Sequence, residues 1–587
     1  MPGYTAGSCS CWRRCPRHVA GRTRGCFGAP EMPLRHLQKN LMEIVFTVLI
    51  LLLAVASSGI LIRVLPAKPP LPLVQIAIGA LLAWPKLGLH VTFDPDIFMV
   101  LFIPPLLFAD GWRIPKREFF MQRRAILMLA LGLVFMTVLA VGYFVHALVP
   151  AIPLPVAFAL AAVLSPTDAV ALTGIAGKGR IAPQLMHILE GEALMNDASG
   201  LVALKFAIAA ALTGVFSLRE ASISFVIIAA GGLATGAAVG WLFSFVSSRF
   251  LNMTEEGDPA PGVVMTLLIP FASYLFAEHF GWSGILAAVA AGMMMNYTSI
   301  THVGPVSARM RAASTWTMIE FVFNGMVFIL LGLQFPHILG DALLDAHHTG
   351  DGQALRLIGY VAAVLLVLYA LRYVWVWVLR LVASRRAKRK GITNAVPGVR
   401  MVAVTTIAGV RGAVTLAGVL SLPVSLAGRD LAIFIASGVI LASLLVAVIV
   451  LPFITHGNRR DPHEAEEKLA RTHAAQAAIR AIDDLHDTVN ADLDESESAS
   501  AADVTARVMD IYRRRLATLG EDDAPRKMAR QIEALELRMR LAAIHAERAT
   551  LVALRNAQKI NDETLTRLMR EIDLSETALT TRGRTRG

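Results

Sequence analysis

The chain alternates long apolar runs with short polar breaks. Thirteen runs are long enough to be membrane helices: 43–65, 69–85, 95–112, 124–148, 152–176, 184–213, 222–247, 261–279, 282–297, 315–340, 357–383, 401–427 and 430–455. A bilayer core about 30 Å thick needs about 20 apolar residues per helix. Barrel strands would be shorter and would alternate apolar with polar positions, which these runs do not. The pattern therefore predicts an all-α membrane protein of about 13 transmembrane helices. Beyond residue 456 the spacing becomes that of amphipathic helices, over 463–487, 500–518 and 524–557, with an acidic, serine-rich break from Asp492 to Ser500.

Charge follows the same division. Residues 1–41 hold 8 charged residues, 42–456 hold 45 and 457–587 hold 46, with net charges of +6, +7 and −2. The overall 17% charged residues is thus an average over a basic leader, an apolar transmembrane domain and a highly charged tail. The surface of a soluble protein of this length could not be covered by so few charges. The basic balance invites a nucleic-acid partner, but the excess lies in the leader and in membrane loops, so none is expected. All four cysteines, Cys9, Cys11, Cys15 and Cys26, fall in the leader, with no repeated Cys-x-x-Cys pair or following His cluster to suggest zinc or disulfides. The leader has no long apolar run, and Met32 and Met42 both precede the first span. A disordered extension or a start placed too early is the expectation for it.

The loops set an orientation. Cations follow alternate spans: Arg63 and Lys68; Arg113, Lys116, Arg117, Arg123 and Arg124; Lys178 and Arg180; Arg309 and Arg311; then Arg385, Arg386, Lys388, Arg389 and Lys390. The intervening loops are poor in Lys and Arg, and the one after the tenth span is expected to carry Asp341, Asp345 and Asp351. The positive-inside rule then places the N-terminus outside and the tail in the cytoplasm of a multi-pass membrane protein. The cationic leader alone runs against this.

Polar groups at bilayer depth are costly and usually functional. The sixth span contains Glu190, Glu192, Asn196, Asp197 and Ser199. Glu192 and Asn196, four apart, share a helix face, with Asp197 about 100° further round. Glu190 suits a helix end in the headgroup region, whereas Asp197 lies well inside. The fifth span is interrupted at Ser165-Pro166-Thr167-Asp168, where proline removes a helical hydrogen bond. Asp168 there either ligates an ion or satisfies exposed helix ends. The twelfth span has its own weak point at Gly409-Val410-Arg411-Gly412. Two broken spans in corresponding places of two halves point to a transport site at the interface of two inverted repeats, a symmetry inferred from the breaks and not visible as a sequence repeat. Arg372, midway along the eleventh span, needs an acid, and Glu192 is the expected partner, leaving Asp197 free. Glu320 and Asn324 share a face of the tenth span and suit either packing or conduction.

These residues make the chain resemble a bacterial member of the cation/proton antiporter 1 family, the sodium/proton exchangers. The family's Gly-Glu-Ser-x-x-Asn-Asp motif is similar to Gly191-Glu192-Ala193-Leu194-Met195-Asn196-Asp197. Its Thr-Asp matches Thr167-Asp168, its eleventh-helix Arg matches Arg372, and its Gly-x-Arg-Gly matches Gly409 to Gly412. Ala277-Glu278, Ser283-Gly284-Ile285-Leu286-Ala287 and Gly292 fit the eighth and ninth helices; Trp316, Glu320, Asn324 and Gly332 fit the tenth; Pro104-Pro105-Leu106 and Asp110 fit the third. The resemblance covers about residues 42–456, and Ile560-Asn561-Asp562-Glu563 through Leu574 resembles the helical tail of one bacterial branch. It implies antiport of Na⁺, with Li⁺ possible, for H⁺, an electroneutral one-for-one exchange and a homodimer. Ion and proton binding fall to Asp197, Asn196, Thr167, Asp168 and Asp110, with Arg411, Glu320 and Asn324 in support. The cation is held chiefly by Asp197 and Thr167. No cofactor is expected, the cations and protons being the cargo. One departure stands out: the family serine, which can ligate the cation, is Ala193. Water, Asp110 or Ser199 would then complete the shell, or the preference shifts towards K⁺. A K⁺/H⁺ antiporter is the alternative, and a cation channel or membrane sensor the remote one. No nucleophile, phosphate loop or metalloenzyme motif suggests an enzyme. The tail is expected to be helical, and either regulatory, a dimer contact or a plain appendage.

Overall fold

A computed structural model describes residues 32–66, 69–83, 95–177, 180–214, 218–247, 249, 260–299, 306–349, 352–389, 398–455, 464–490, 495–519 and 523–584. Residues 1–31, Lys68, Lys178, Asp351 and Lys390 lie outside the described residues, and with them the leader's cysteines; residues 32–41, expected as part of a disordered leader, instead form the first turns of a helix. Every element among the described residues is a helix. The chain divides into two compact units, Met1–Gly457 and Asn458–Gly587.

The first unit opens with α1 (Met32–Val64), α2 (Leu71–Leu82), α3 (Pro95–Leu101), α4 (Ile103–Arg113) and α5 (Lys116–Leu127). A π-helical turn over Met128–Leu133 leads into α6 (Val134–Leu148). Next come α7 (Leu154–Leu164), α8 (Ala169–Ala176), α9 (Pro183–Thr213), α10 (Leu218–Val246), α11 (Ala260–His279) and α12 (Gly284–Ser299). The unit closes with α13 (Val306–Thr349), α14 (Gly352–Arg389), α15 (Val399–Ile407), α16 (Ala413–Leu420) and α17 (Arg429–Thr455).

Each apolar run falls on one of these helices or on a broken pair, but length does not establish thirteen crossings. Among the described residues eight helices are long and apolar enough to span a bilayer, and the α7–α8 pair, bent by 46°, makes a ninth. The other runs fall on α2 and α12, which are short, and on the interrupted pairs α3–α4 and α15–α16. The breaks at 165–168 and 408–412 lie where proline and glycine place them. The break at Phe102 was not expected, although Pro104 and Pro105 open α4, where a missing N–H costs nothing. Two expected loops shrink. Arg309 and Arg311 lie inside α13, and Asp341 and Asp345 lie on its far end, because a helix rich in Ala and Leu continues beyond an apolar stretch.

Packing sorts these helices into two bundles. One contains α1 to α4 and α10 to α13; the other contains α5 to α9 and α14 to α17. In the first, Gly79 of α2 lies against the Ile329 carbonyl of α13, and Gly332 of α13 lies against the Ile76 carbonyl of α2. A Cβ at either position would overlap that oxygen, so the backbones meet where side chains are missing. Small residues let helices pack by van der Waals contact where lipid removes a hydrophobic drive between them. Elsewhere along α13, Trp316 is buried against Phe108 and Trp112 of α4, with ring centroids 5.0 and 6.1 Å apart.

The tail unit holds α18 (Glu464–Asn490), α19 (Glu495–Leu519), α20 (Asp523–Asn556) and α21 (Asp562–Arg584). The acidic, serine-rich stretch expected as a break is largely the first turns of α19. Acids at a helix N-terminus oppose the positive end of its dipole, which favours helix there. The fourth helix has a start signal in Asn561, whose Oδ1 accepts from the Thr564 N–H at 2.7 Å. Arg548 joins α20 to Asp573 and Glu576 of α21, each at 2.6 Å.

Gly332→Leu is expected to force α2 and α13 apart and to destabilise the protein by about 1–3 kcal/mol or more. A lowered unfolding temperature of the detergent-solubilised protein checks it, and an unchanged one refutes the close crossing.

Candidate functional site

The site begins with a problem of backbone chemistry. Where α7 stops and α8 starts, and again between α15 and α16, helix ends are left open inside the protein. Unpaired carbonyls gather at one end and unpaired N–H groups at the other. The two breaks lie side by side, since the Asp168 N–H donates to the Val410 carbonyl at 2.8 Å. The Asp168 carboxylate caps α8 by accepting from the N–H groups of Val170 and Ala171 at 2.8 and 2.9 Å. Arg411 serves the opposite need. Its Nε donates to the Leu164 carbonyl at the end of α7 at 2.6 Å, and an Nη donates to the Gly409 carbonyl. Negative charge meets the positive helix end and positive charge the negative one. Gly412 is required here, because a Cβ would overlap the Asp168 carboxylate. Of the two readings open for Asp168, the helix-end one is met directly by this geometry.

A second buried charge pair lies deeper. Arg372 of α14 donates both Nη groups to Glu192 of α9, at 2.5 and 2.9 Å, and its Nε to the Thr405 carbonyl of α15 at 2.9 Å. The two side chains are 2% and 1% exposed. This two-pronged pairing satisfies both ions where neither could stand alone. It ties α9, α14 and α15 together.

Between the two bundles lies a cavity of about 900 Å³. From the first bundle Gln75, Asp110, Arg113, Thr317, Glu320 and Asn324 line it; from the second, Thr167, Asp168, His187, Glu190, Ala193 and Asp197. Asp110 and Asp197 differ from the other acids. Among the described residues neither carboxylate accepts a hydrogen bond or makes an ion pair. Asn196 is buried behind the cavity wall, donating through Nδ2 to the Thr167 hydroxyl at 2.9 Å. Its Oδ1 is buried and accepts nothing among the described residues.

The structure therefore brings Asp197, Asp168, Thr167, Asp110, Glu320 and Asn324 to one cavity. Glu192, Arg372 and Arg411 stand outside it, in the supporting frame. Ala193 presents a methyl to the cavity. Ser199, considered as its replacement, points elsewhere and donates to the Ala130 carbonyl in the π-helical turn at 2.8 Å. Glu190, read as a headgroup residue, instead lines the cavity with its carboxylate 3.6 Å from His187. Sequence reasoning took Arg113 for a loop cation; it pairs with Glu320 across α4 and α13. Its spacing three residues after Asp110 was the available signal, since i and i+3 share a helix face. No group of metal-ligating His, Cys, Asp and Glu side chains occurs among the described residues.

Broken helices crossing beside an acid-lined cavity define a membrane transporter. Residues 52–457 match the sodium/hydrogen exchanger, transmembrane, family. The chain is 47% identical over 549 residues to the "Uncharacterized Na(+)/H(+) exchanger YjcE" of Escherichia coli (strain K12), covering 92% of this chain and 99% of that one. It is 40% identical over 541 residues to the "Sodium, potassium, lithium and rubidium/H(+) antiporter" of Bacillus pumilus (strain SAFR-032), covering 89% and 76%. The solved sodium proton antiporter MjNhaP1 from Methanocaldococcus jannaschii shares the fold at 17% identity, with a TM-score of 0.50 over 71% of this chain and 99% of that one. The chain belongs to the sodium/hydrogen exchanger family, whose members are multi-span membrane antiporters and not enzymes.

Arg372→Ala is expected to destabilise the protein by about 3–5 kcal/mol, by leaving Glu192 buried and unpaired. Glu192→Ala with Arg372→Ala should be less damaging than the sum of the two single changes. Thermal unfolding of the three variants measures the coupling, and simple additivity would contradict it.

Proposed function

We propose that the chain exchanges a monovalent cation for H⁺ and that Asp197 is the carboxylate both compete for. The observation that carries this reading is that Asp197 faces the cavity with no hydrogen bond and no ion pair among the described residues, while Glu192 and Asp168 are engaged. A bare carboxylate charge is expensive in a low-dielectric cavity, so either a proton or a cation must neutralise it. The empty charged form is then disfavoured while the site moves, and the two cargoes must alternate. The family resemblance, with Asn196-Asp197 in place of two adjacent acids, supports electroneutral, one-for-one exchange.

Hard oxygen donors suit alkali cations. Asp197, Thr167, Asp110 and water would supply the shell, with Asn196 held by Thr167 behind it. Na⁺, with Li⁺, is the first reading for the cation. K⁺ is the second, favoured by the Ala193 methyl, which removes an oxygen from the cavity wall. The name of the Bacillus pumilus relative, which includes both sodium and potassium, is in keeping with either. Loop charges support an N-terminus outside and a cytoplasmic tail, in the inner membrane of a bacterial cell. A homodimer and a part in pH homeostasis follow from the family. The boundaries we propose are an extension over 1–41, the exchanger over 42–456 and the tail over 457–587.

Asp197→Asn is expected to abolish exchange, measured by pH-dye dequenching in everted vesicles with Na⁺, Li⁺ and K⁺ added separately. Exchange that survives in the variant rejects the site. Ala193→Ser should lower the apparent Na⁺ KM relative to K⁺ by about 2- to 10-fold, as one added oxygen contact would.

A further inference from the structure

The cavity has a direction. Its lining includes Leu71 at the start of α2, Arg113 at the end of α4, Gly174 near the end of α8 and His187 near the start of α9. Along α9 its lining runs through His187, Glu190, Ala193 and Leu194 and stops at Asp197. Access to Asp197 is therefore from the N-terminal end of α9. The other side of the membrane domain must be closed, and the two bundles must meet there.

Lys205 lies eight residues beyond Asp197 on α9, about 12 Å further along the axis at 1.5 Å per residue. Its Nζ lies 3.3 Å from both carboxylate oxygens of Glu278, near the end of α11. Lys205 belongs to the bundle that carries Asp197 and Glu278 to the other. Of the ion pairs resolved among the described residues of the first unit, this one joins the two bundles; Arg113 with Glu320 and Arg372 with Glu192 each stay within one. Glu278 is also held from behind, accepting from the Gly284 N–H at the start of α12 at 3.2 Å. Its carboxylate thus has a second partner within its own bundle.

We propose that the Lys205–Glu278 ion pair holds the side opposite the cavity mouth closed, and that breaking it is a step of the exchange cycle. This rests on the reading of Asp197 as the transport carboxylate. Exposure decides which pairs can serve in this way. Arg372 and Glu192 are 2% and 1% exposed, so parting them would strand two buried charges. Lys205 and Glu278 are 63% and 33% exposed, so parting them strands no fully buried charge. Such a pair biases the closed arrangement without freezing it. To carry Asp197 towards the opposite face, α9 must shift against α11, and the pair lies on that line of movement.

The test is cross-linking in the full chain with the four leader cysteines replaced by serine. Lys205→Cys with Glu278→Cys is reconstituted in proteoliposomes and treated with a short bifunctional thiol reagent that can be cleaved by reduction. Exchange is expected to stop on cross-linking and to return on reduction. Charge exchange gives the second arm. Lys205→Glu is expected to change the exchange rate by a factor of about two to five, the scale of an exposed pair, and Lys205→Glu with Glu278→Lys to restore it. A cross-linked protein that still exchanges at the full rate, or a charge-swapped protein no better than the single variant, overturns the proposal. If Asp197→Asn is inactive while the cross-linked protein remains active, the closure fails and the transport site stands. If Asp197→Asn is active, the site itself fails.

Discussion

Two broken helices that cross inside a membrane impose one electrostatic condition on this protein. Each break exposes backbone groups that a helix would have paired, with no bulk water to take their place. The solution is a pair of opposite charges, Asp168 on the N–H end of α8 and Arg411 on the carbonyl end of α7. Much else follows from it. Gly412 must lack a side chain so that Asp168 can reach its amides. The backbone of Val410 must approach closely enough to accept from Asp168. With the helix ends neutralised by protein, the cavity beside them need not spend its remaining acids on structure.

That division of labour separates the acids of the membrane domain by what they touch. Glu192 is fully engaged by Arg372 and holds α9 against α14 and α15. Asp168 is engaged by the backbone. Glu320 is paired with Arg113 at the wall of the cavity. Asp110 and Asp197, from opposite bundles, face the same space with carboxylates unengaged among the described residues. A transported ion needs ligands that can exchange partners, and a frame needs ligands that do not. The engaged and the unengaged carboxylate lie within one stretch of α9, Glu192 on the frame side and Asp197, about 140° round the helix at five residues' distance, on the cavity side, where we propose it takes the ion.

The sequence was legible where a local rule has few exceptions. Proline and glycine in apolar runs marked the breaks at 165–168 and 408–412, and the cost of an unpaired Arg at bilayer depth led from Arg372 to an acid in α9. Three-dimensional detail was not legible in the same way. Arg113 reads as one of several loop cations, because only the approach of α13 gives it Glu320. Ser199 reads as a possible ligand, because only the π-helical turn at Met128–Leu133 supplies a carbonyl for its hydroxyl. The count of spans was unsettled for a similar reason. Hydropathy measures the length of an apolar run, and it cannot distinguish a crossing helix from two half-helices or from a short helix packed within a bundle.

The two bundles differ in how firmly they are joined internally and to each other, and this difference bears on movement. Within a bundle the contacts are of a kind that cannot be partly made: glycine on carbonyl between α2 and α13, and a buried double hydrogen bond between α9 and α14. Packed interfaces of this sort hold or rearrange as wholes. Between the bundles lie a cavity and an exposed ion pair, beside apolar packing that continues from one bundle into the other. The open space and the solvent-accessible charges are gathered at that seam, and a site able to change sides would be built across it. Asp197 is placed accordingly: on a helix fixed rigidly to its own bundle by Glu192, and facing across the seam to Asp110 on the other.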